Sequence, residues 1–336
     1  MKNADFLTGI TTSGTPHLGN FVGAIRPAVA SSKDPNLTSY YFLADYHSLI
    51  KNHDPDKRQA STLQIAAAWI ALGLDHQNCV FYRQSDIPEI PELTWILTCL
   101  TAKGLMNRAH AYKAKVQENE AAGKKDPDQA ITMGLFSYPI LMAADILMFN
   151  AQKVPVGKDQ VQHLEMTRDI AARFNHVYEN LFVLPEVVVD DNTAVLSGLD
   201  GRKMSKSYNN FIPLFDTEKQ LRKMIMKIQT NSLGPDEPKD PDTCTLFSIF
   251  RAFATDGETR AMAERYRAGI AWGVMKQELF EYINAILAEP RQRYDELMKN
   301  PKDIEDILAK GVEKARAFSV PFLEKIRSAV GIRSLV

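Results

Sequence analysis

Short runs of β-branched and aromatic residues alternate with longer stretches of helical apolar spacing along the first part of the chain. Residues 6–10 precede 18–30, 40–43 precede 58–72, and 80–83 precede 93–100. This alternation predicts a parallel sheet covered by helices, because each parallel crossover needs a segment long enough to return the chain. Residues 105–128 break the pattern with a polar, lysine-bearing stretch ending in Gly123-Lys124-Lys125-Asp126-Pro127, which predicts an insertion with an exposed tip. Two further helices are expected near 139–149 and 160–174. Beyond Pro213 no strand pattern remains. Leu221, Met224, Ile225 and Ile228 recur at helical spacing, and Thr217 with Gln220 has the form of a capping box. Residues 231–242 read as a loop, followed by helices near 244–254, 257–268, 275–288 and 302–329. The expectation is an α/β domain over 1–212, carrying a helical insertion at about 104–180, and then an all-helical domain over 213–336.

Composition narrows the class. The chain has 336 residues, 45% hydrophobic and 24% charged, which suits a globular protein of two domains and excludes disordered or fibrous readings. Cys79, Cys99 and Cys244 are widely separated without Cys-x-x-Cys spacing, so neither a disulfide framework nor a zinc site is indicated. No stretch has the form of a signal peptide or a membrane span, which points to a cytoplasmic protein without membrane partners. A net charge of −1 provides no global attraction for nucleic acid, so any RNA contact must use local basic surface.

Three segments carry candidate chemistry. The first strand leads into Thr11-Thr12-Ser13-Gly14-Thr15-Pro16-His17-Leu18-Gly19-Asn20, with a helix starting near His17. Glycines permit close backbone approach, hydroxyls are available, and a helix N-terminus offers unpaired N–H groups, which outlines a phosphate site. Such a turn is by itself most often a connecting loop. The second segment is Gly201-Arg202-Lys203-Met204-Ser205-Lys206-Ser207, whose lysines suit negative charge building up on a leaving pyrophosphate. In the third, Tyr138, Met142 and Asp145 fall on one face of a helix for which Pro139 suits the first position. That face is apolar but for one carboxylate. An isolated carboxylate there requires a donor, which the indole N–H of a substrate or a structural partner would supply.

Lys203-Met204-Ser205-Lys206-Ser207 resembles the KMSKS signature of class I aminoacyl-tRNA synthetases, and His17-Leu18-Gly19-Asn20 resembles their HIGH signature. With Ser137 to Asp145 and the Gly157-Lys158-Asp159-Gln160 run, the resemblance extends over nearly the whole chain to bacterial-type tryptophanyl-tRNA synthetases. It implies a Rossmann-like nucleotide-binding sheet domain and a helical anticodon-recognition domain. It also implies a homodimer formed through the sheet domain, ATP with Mg²⁺ but no dedicated protein metal site, and L-tryptophan and tRNA(Trp) as substrates. By the same resemblance, Asp145 takes the indole nitrogen, Tyr138 and Gln160 approach the amino-acid backbone, and Met142 and His47 lie near the substrate. Thr11, Thr12, Ser13, Gly19, Asn20, Gly157, Lys158, Asp159, Val195 and the signature residues Lys203, Met204, Ser205, Lys206 and Ser207 surround ATP. His17, Asn20, Lys203, Lys206 and, reaching the triphosphate, Lys115 are the catalytic group.

Tyrosyl enzymes share this layout but carry a glutamine four residues after the equivalent tyrosine, where this chain has Met142. A thioether suits a fused ring better than a phenol needing a polar partner. Many bacterial relatives have a glutamine where Thr11 stands, so the partners of the substrate amine remain open at this point. Lys310, Lys314, Arg316, Lys325, Arg327 and Arg333 are expected to form a basic surface for tRNA. The alternatives are a nucleotidyltransferase, a tyrosyl-type synthetase, or a regulatory paralogue that binds tryptophan or RNA without charging tRNA. The complete second signature and the helical domain speak against the first of these.

Overall fold

The computed structural model describes residues 2–12, 14–189 and 196–335. In chain order the first part runs β1 (Phe6–Thr11), α1 (Leu18–Asn20), a π turn (Phe21–Ile25), α2 (Arg26–Ser32), β2 (Ser39–Ala44), α3 (Asp45–Ser48), α4 (Pro55–Ala71), β3 (Val80–Arg83) and α5 (Glu89–Leu100). It continues through α6 (Lys103–Met106), α7 (His110–Ala121), α8 (Met133–Leu147), β4 (Lys153–Val156), α9 (Val161–Val177) and β5 (Glu186–Val189). The remainder is α10 (Glu218–Met226), α11 (Thr245–Phe253), α12 (Asp256–Ala268), α13 (Trp272–Lys299) and α14 (Pro301–Ala329).

The five strands form one parallel sheet in the order β3-β2-β1-β4-β5. All six residues of β2 are buried, so both sheet faces are covered, as a parallel sheet requires. Alternate residues serve different cores: Tyr41, Leu43 and Phe81 join a cluster with Leu18, Trp69 and Leu279, while Tyr40, Phe42 and Tyr82 join another with Leu93, Ala144 and Phe174. The α/β expectation therefore holds. The four-residue strands β4 and β5 carry no legible alternation, and Pro155 interrupts the first of them.

Helix α8 begins a turn and a half earlier than its sequence predicts. Thr132 caps it, its side chain accepting from Leu135 N at 3.2 Å, and Pro139 lies inside the helix rather than at its first position. The face shared by Tyr138, Met142 and Asp145 is unaffected, because helical spacing does not depend on where the helix starts. The polar insertion is closed by the buried Asn119, whose amide donates to the carbonyls of Pro127 and Gln129 and accepts from Lys124.

The helices after Pro213 share their cores with the sheet. Leu221, Phe250, Leu279 and Leu308 lie in the cluster that holds Tyr41 and Phe81, and Phe318, Phe322 and Ile326 lie in the one that holds Tyr40 and Tyr82. Helix α14 crosses the β3 edge so closely that a Cβ on Gly311 would lie 1.7 Å from the Phe81 carbonyl oxygen. Lys314 Nζ donates to the carbonyls of His76, Gln77 and Cys79 at 2.8–3.1 Å, and Arg316 and Ser319 bind the buried Glu89.

Candidate active site

Connections from β1 and β4 leave in opposite directions, β1 leading to β2 and β4 to β5, so the sheet has a switch point between these two strands. Ligands bind at such crevices because the chain ends diverge there. A cavity of about 1220 Å³ opens at this place, touched by Thr11 and Gly14 beyond β1 and by Gly157 beyond β4. His47, Tyr138, Met142, Asp145, Gln160 and Lys206 also line it. Gly9 is required beneath the cavity, since a Cβ there would lie 2.4 Å from the ring of Phe42.

Asp145 is 1% exposed, and its carboxylate is not isolated. His47 Nε2 lies 2.8 Å from Oδ2, and Gln84 Nε2 donates to Oδ1 at 2.7 Å. The other end of the Gln84 amide accepts from Tyr46 N at 3.1 Å, tying α3 to the carboxylate. Burial raises the Asp145 pKa above the usual carboxylate range, opposed by the hydrogen bonds from His47 and Gln84. A carboxylate has about four acceptor positions, so these two partners leave capacity for a third donor from the cavity.

One turn away on α8, the Tyr138 hydroxyl lies 2.7 Å from His163 Nε2, and His163 Nδ1 lies 2.8 Å from Gln160 Oε1. His163 is buried on α9, and its own carbonyl is held by Thr167 Oγ1 at 2.9 Å. Tyr138 and Gln160 thus come from different elements but share one imidazole.

On the opposite side, His17 caps α1. Its Nδ1 accepts from Asn20 N at 3.3 Å and its backbone N–H donates to Asn20 Oδ1 at 3.0 Å. The close ring explains Gly19, where a Cβ would lie 3.0 Å from the imidazole. Burial, and then the charge of Lys206, lower the His17 pKa to about 4. The ring is neutral at pH 7, with its proton on Nε2 because Nδ1 is an acceptor.

Two backbone pairings bring the separated signatures together: Leu18 N donates to Ile212 O at 3.0 Å, and Leu214 N donates to Pro16 O at 2.9 Å. Between them the lysine loop is fixed by Asn210, 3% exposed, which accepts from Ser205 N at 2.8 Å and donates to Asp200 Oδ1 and Lys203 O. Met204 is buried and anchors the loop in the core, while Lys203 stays exposed. Ser205 Oγ lies 2.7 Å from Ser207 Oγ. Lys206 reaches back to the first turn: a Cβ on Gly14, whose φ is +69°, would lie 3.2 Å from its Nζ. Partial desolvation lowers the Lys206 pKa. Gly14 N–H in turn donates to Ser61 Oγ on α4 at 2.9 Å.

Comparison with known proteins agrees with this arrangement. The family model of class I tRNA synthetases for tryptophan and tyrosine matches residues 1–288. The chain is 58% identical over 335 residues to a tryptophan–tRNA ligase of Neisseria meningitidis, covering 100% of both chains. It is 59% identical over 332 residues to one of Pseudomonas aeruginosa, covering 98% of this chain and 74% of that one. The chain belongs to the tryptophan–tRNA ligases. A tryptophanyl-tRNA synthetase from Campylobacter jejuni, solved with ADP and tryptophan, shares the enzyme's fold at a TM-score of 0.88 and 42% identity, covering 97% of this chain and 99% of that one. An archaeal tyrosyl-tRNA synthetase from Archaeoglobus fulgidus, at 18% identity and a TM-score of 0.64, shares the fold alone. Fold does not separate the two amino acids; the residues facing the cavity must.

All five residues expected around the amino acid, Asp145, Tyr138, Met142, Gln160 and His47, line the ligase cavity. The nucleotide group is only partly assembled there. Thr11, Gly157 and Lys206 line the cavity, whereas His17, Gly19, Asn20, Lys203, Met204, Ser205 and Ser207 form the adjoining wall behind Lys206. The Thr12 hydroxyl is fully buried and has no hydrogen-bond partner among the described residues, so it is packed inward rather than presented to a phosphate. Lys158 is exposed at the start of a single 3₁₀ turn. Lys115 does not line the cavity; its amine pairs with Glu118 at 2.9 Å, one turn along α7. Ser13 and Val195 lie outside the described residues, as does the side chain of Asp159.

The expected basic surface is also depleted. Lys314, Arg316 and Arg327 are engaged with backbone carbonyls, Glu89 and Glu92, leaving Lys310, Lys325 and Arg333 exposed on this side. Sequence reasoning missed Gln84, His163 and Asn210. Each is a lone polar residue whose partners are remote or on another element. Only His163, at i+3 from Gln160, stood within reach of a helical-spacing argument.

Proposed function

We propose that the enzyme binds L-tryptophan and ATP in this cavity and joins them into tryptophanyl-AMP with release of pyrophosphate. It then passes the tryptophanyl group to the terminal ribose of tRNA(Trp). The observation that carries the reading is the buried Asp145, held by His47 and Gln84 within an otherwise apolar end of the cavity formed by Met142 and its neighbours. A pre-oriented acceptor in that position selects an aromatic amino acid with an N–H at its far end. Rejection is strong when the donor is missing, because the acceptor loses hydration without gaining a partner.

The amino-acid carboxylate attacks the α-phosphorus directly, and no side chain serves as nucleophile. Neutral His17 offers Nε2–H to the phosphate oxygens, and Lys206 and Lys203 meet charge as pyrophosphate leaves. Mg²⁺ is assigned to the phosphates of ATP rather than to a protein cage, since this hard ion retains water and phosphate oxygens as ligands. Among the described residues no group of three or more His, Cys, Asp or Glu side chains is placed to hold a metal. We assign the helices after Pro213 to anticodon recognition, and the working form to a cytoplasmic homodimer. Among the described residues no helix is long and apolar enough to cross a membrane.

Tryptophan-dependent ATP–pyrophosphate exchange, run with each of the twenty amino acids in turn and followed by charging of tRNA(Trp), tests the reading. Exchange with tyrosine alone would sink the tryptophan assignment. Exchange without charging would identify a regulatory relative.

A further inference from the structure

The partners of the substrate amine were left open by Thr11, and the buried contacts of His163 bear on that question. Gln160 Oε1 can only accept, so the hydrogen in its 2.8 Å contact with His163 belongs to Nδ1. In the neutral ring Nε2 is then an acceptor, and the 2.7 Å contact is a donation from the Tyr138 hydroxyl. The two hydrogen bonds are coupled through one imidazole. Reversing the tautomer would require the Gln160 amide to turn over and the Tyr138 hydroxyl to become a receiver, so neither residue can change what it presents alone. Thr167 Oγ1 holds the His163 carbonyl, and the ring packs edge-on to Tyr138 with centroids 5.1 Å apart, which fixes the imidazole against rotation.

We propose that His163 is a positioning residue that sets the polarity with which Tyr138 and Gln160 meet the amino-acid backbone. With its proton given to His163, the Tyr138 oxygen presents lone pairs suited to the substrate ammonium. With its oxygen taken by His163, the Gln160 amide has its N–H₂ end as the group suited to the carboxylate. Both groups of a zwitterion are thereby addressed from a single buried ring, which touches neither. The proposal rests on the reading of the cavity as a tryptophan site.

The test uses the full-length enzyme and three ligands: L-tryptophan, tryptamine, which lacks the carboxylate, and indole-3-propionate, which lacks the ammonium. Replacing His163 by leucine removes both polarity constraints. The His163→Leu variant is expected to bind tryptophan about 10- to 100-fold more weakly, the scale of hydrogen bonds to charged groups, with the KM for ATP changed less than about 2-fold. Each analogue should lose less than tryptophan does, because each lacks one of the two groups concerned. His163→Asn, which keeps a donor near the former Nδ1 for Gln160, should recover the preference for tryptophan over tryptamine but not that over indole-3-propionate. Equal weakening of all three ligands by His163→Leu would mean that the ring merely supports the pocket, and unchanged tryptophan affinity would mean that it sets nothing; either overturns the proposal. A wild-type enzyme without tryptophan-dependent exchange would instead defeat the reading of the site, an outcome seen before any variant is made.

Discussion

His47 Nε2 stands 2.8 Å from the buried carboxylate of Asp145. A histidine on the short helix after β2 and an aspartate in the middle of α8 thus make one acceptor unit, completed by Gln84 from the end of β3. Three separate elements converge on two oxygen atoms, which fixes their direction more firmly than any one rotamer would. Selectivity in the cavity follows from that rigidity.

Asp145→Ala should therefore have two separable effects. The selectivity ratio for tryptophan over phenylalanine, read as kcat/KM in exchange assays, is expected to fall by about 10²-fold or more, with ATP binding retained. The same change strands the donors of His47 and Gln84 in a buried place, at a cost of about 1–3 kcal/mol for each group that water cannot reach. Asp145→Asn keeps the shape and should recover part of the lost stability. An Ala variant with the wild-type selectivity ratio would make the carboxylate purely structural.

Lys203→Ala and Lys206→Ala are each expected to lower kcat for activation by about 10²-fold, with little change in tryptophan affinity, since their charge matters most as pyrophosphate departs. The two should differ in the ground state. Only Lys206 lies against Gly14, and its charge helps to keep His17 neutral, so its removal should also raise the His17 pKa. A large rise in tryptophan Kd with unchanged kcat would show a substrate clamp instead.

The His17 ring gives a pH prediction with a definite sign. Its pKa is about 4 in the folded protein and 6.5 in the unfolded chain, so between these values the unfolded chain binds a proton that the folded protein refuses. Stability from this group is fully present above pH 6.5 and is lost as pH falls towards 4, by about 2 kcal/mol after allowance for screening of a ring near the surface. NMR titration of His17 in the ligand-free enzyme should give a midpoint near 4. A midpoint near 6.5 would remove both the stability effect and the assignment of a neutral donor to phosphate.

Much of this arrangement was legible because it is local. The strands β1, β2 and β3 show in runs of aromatic and β-branched residues, and the face of Tyr138, Met142 and Asp145 follows from helical spacing alone. Both signatures are contiguous. What could not be read depends on pairs remote in sequence: Gln84 with Asp145, Asn210 with Asp200 and Ser205, and the backbone pairing of residues 16–18 with 212–214. Helical spacing could likewise not reveal that Lys314 would spend its charge on the carbonyls of residues 76, 77 and 79. A lysine at the surface of a lone helix and one docked on a sheet edge look the same in a sequence.

That docking leads to a prediction about which cations serve tRNA. Lys314 and Arg316 bind carbonyls and the buried Glu89, so Lys314→Met and Arg316→Met should lower thermal stability, the second by leaving a buried carboxylate short of its partner. Lys310, Lys325 and Arg333 are exposed, and their replacement by Ala should leave stability within about 0.5 kcal/mol. If the C-terminal helix contacts phosphate, these exposed residues should carry the salt dependence of tRNA binding, each substitution reducing the slope of log K against log salt by up to about 1. Gly311→Ala supplies the control for docking itself. Its Cβ would meet the Phe81 carbonyl at 1.7 Å, so the helix must shift, with an expected loss of about 3 kcal/mol or more and weakened contacts at Lys314 and Arg316 together. Because the core is continuous across this junction, the loss should appear as a single unfolding transition at lower temperature. A separate early transition of the C-terminal helices, with the sheet portion unfolding at the wild-type temperature, would show instead that the two parts fold independently.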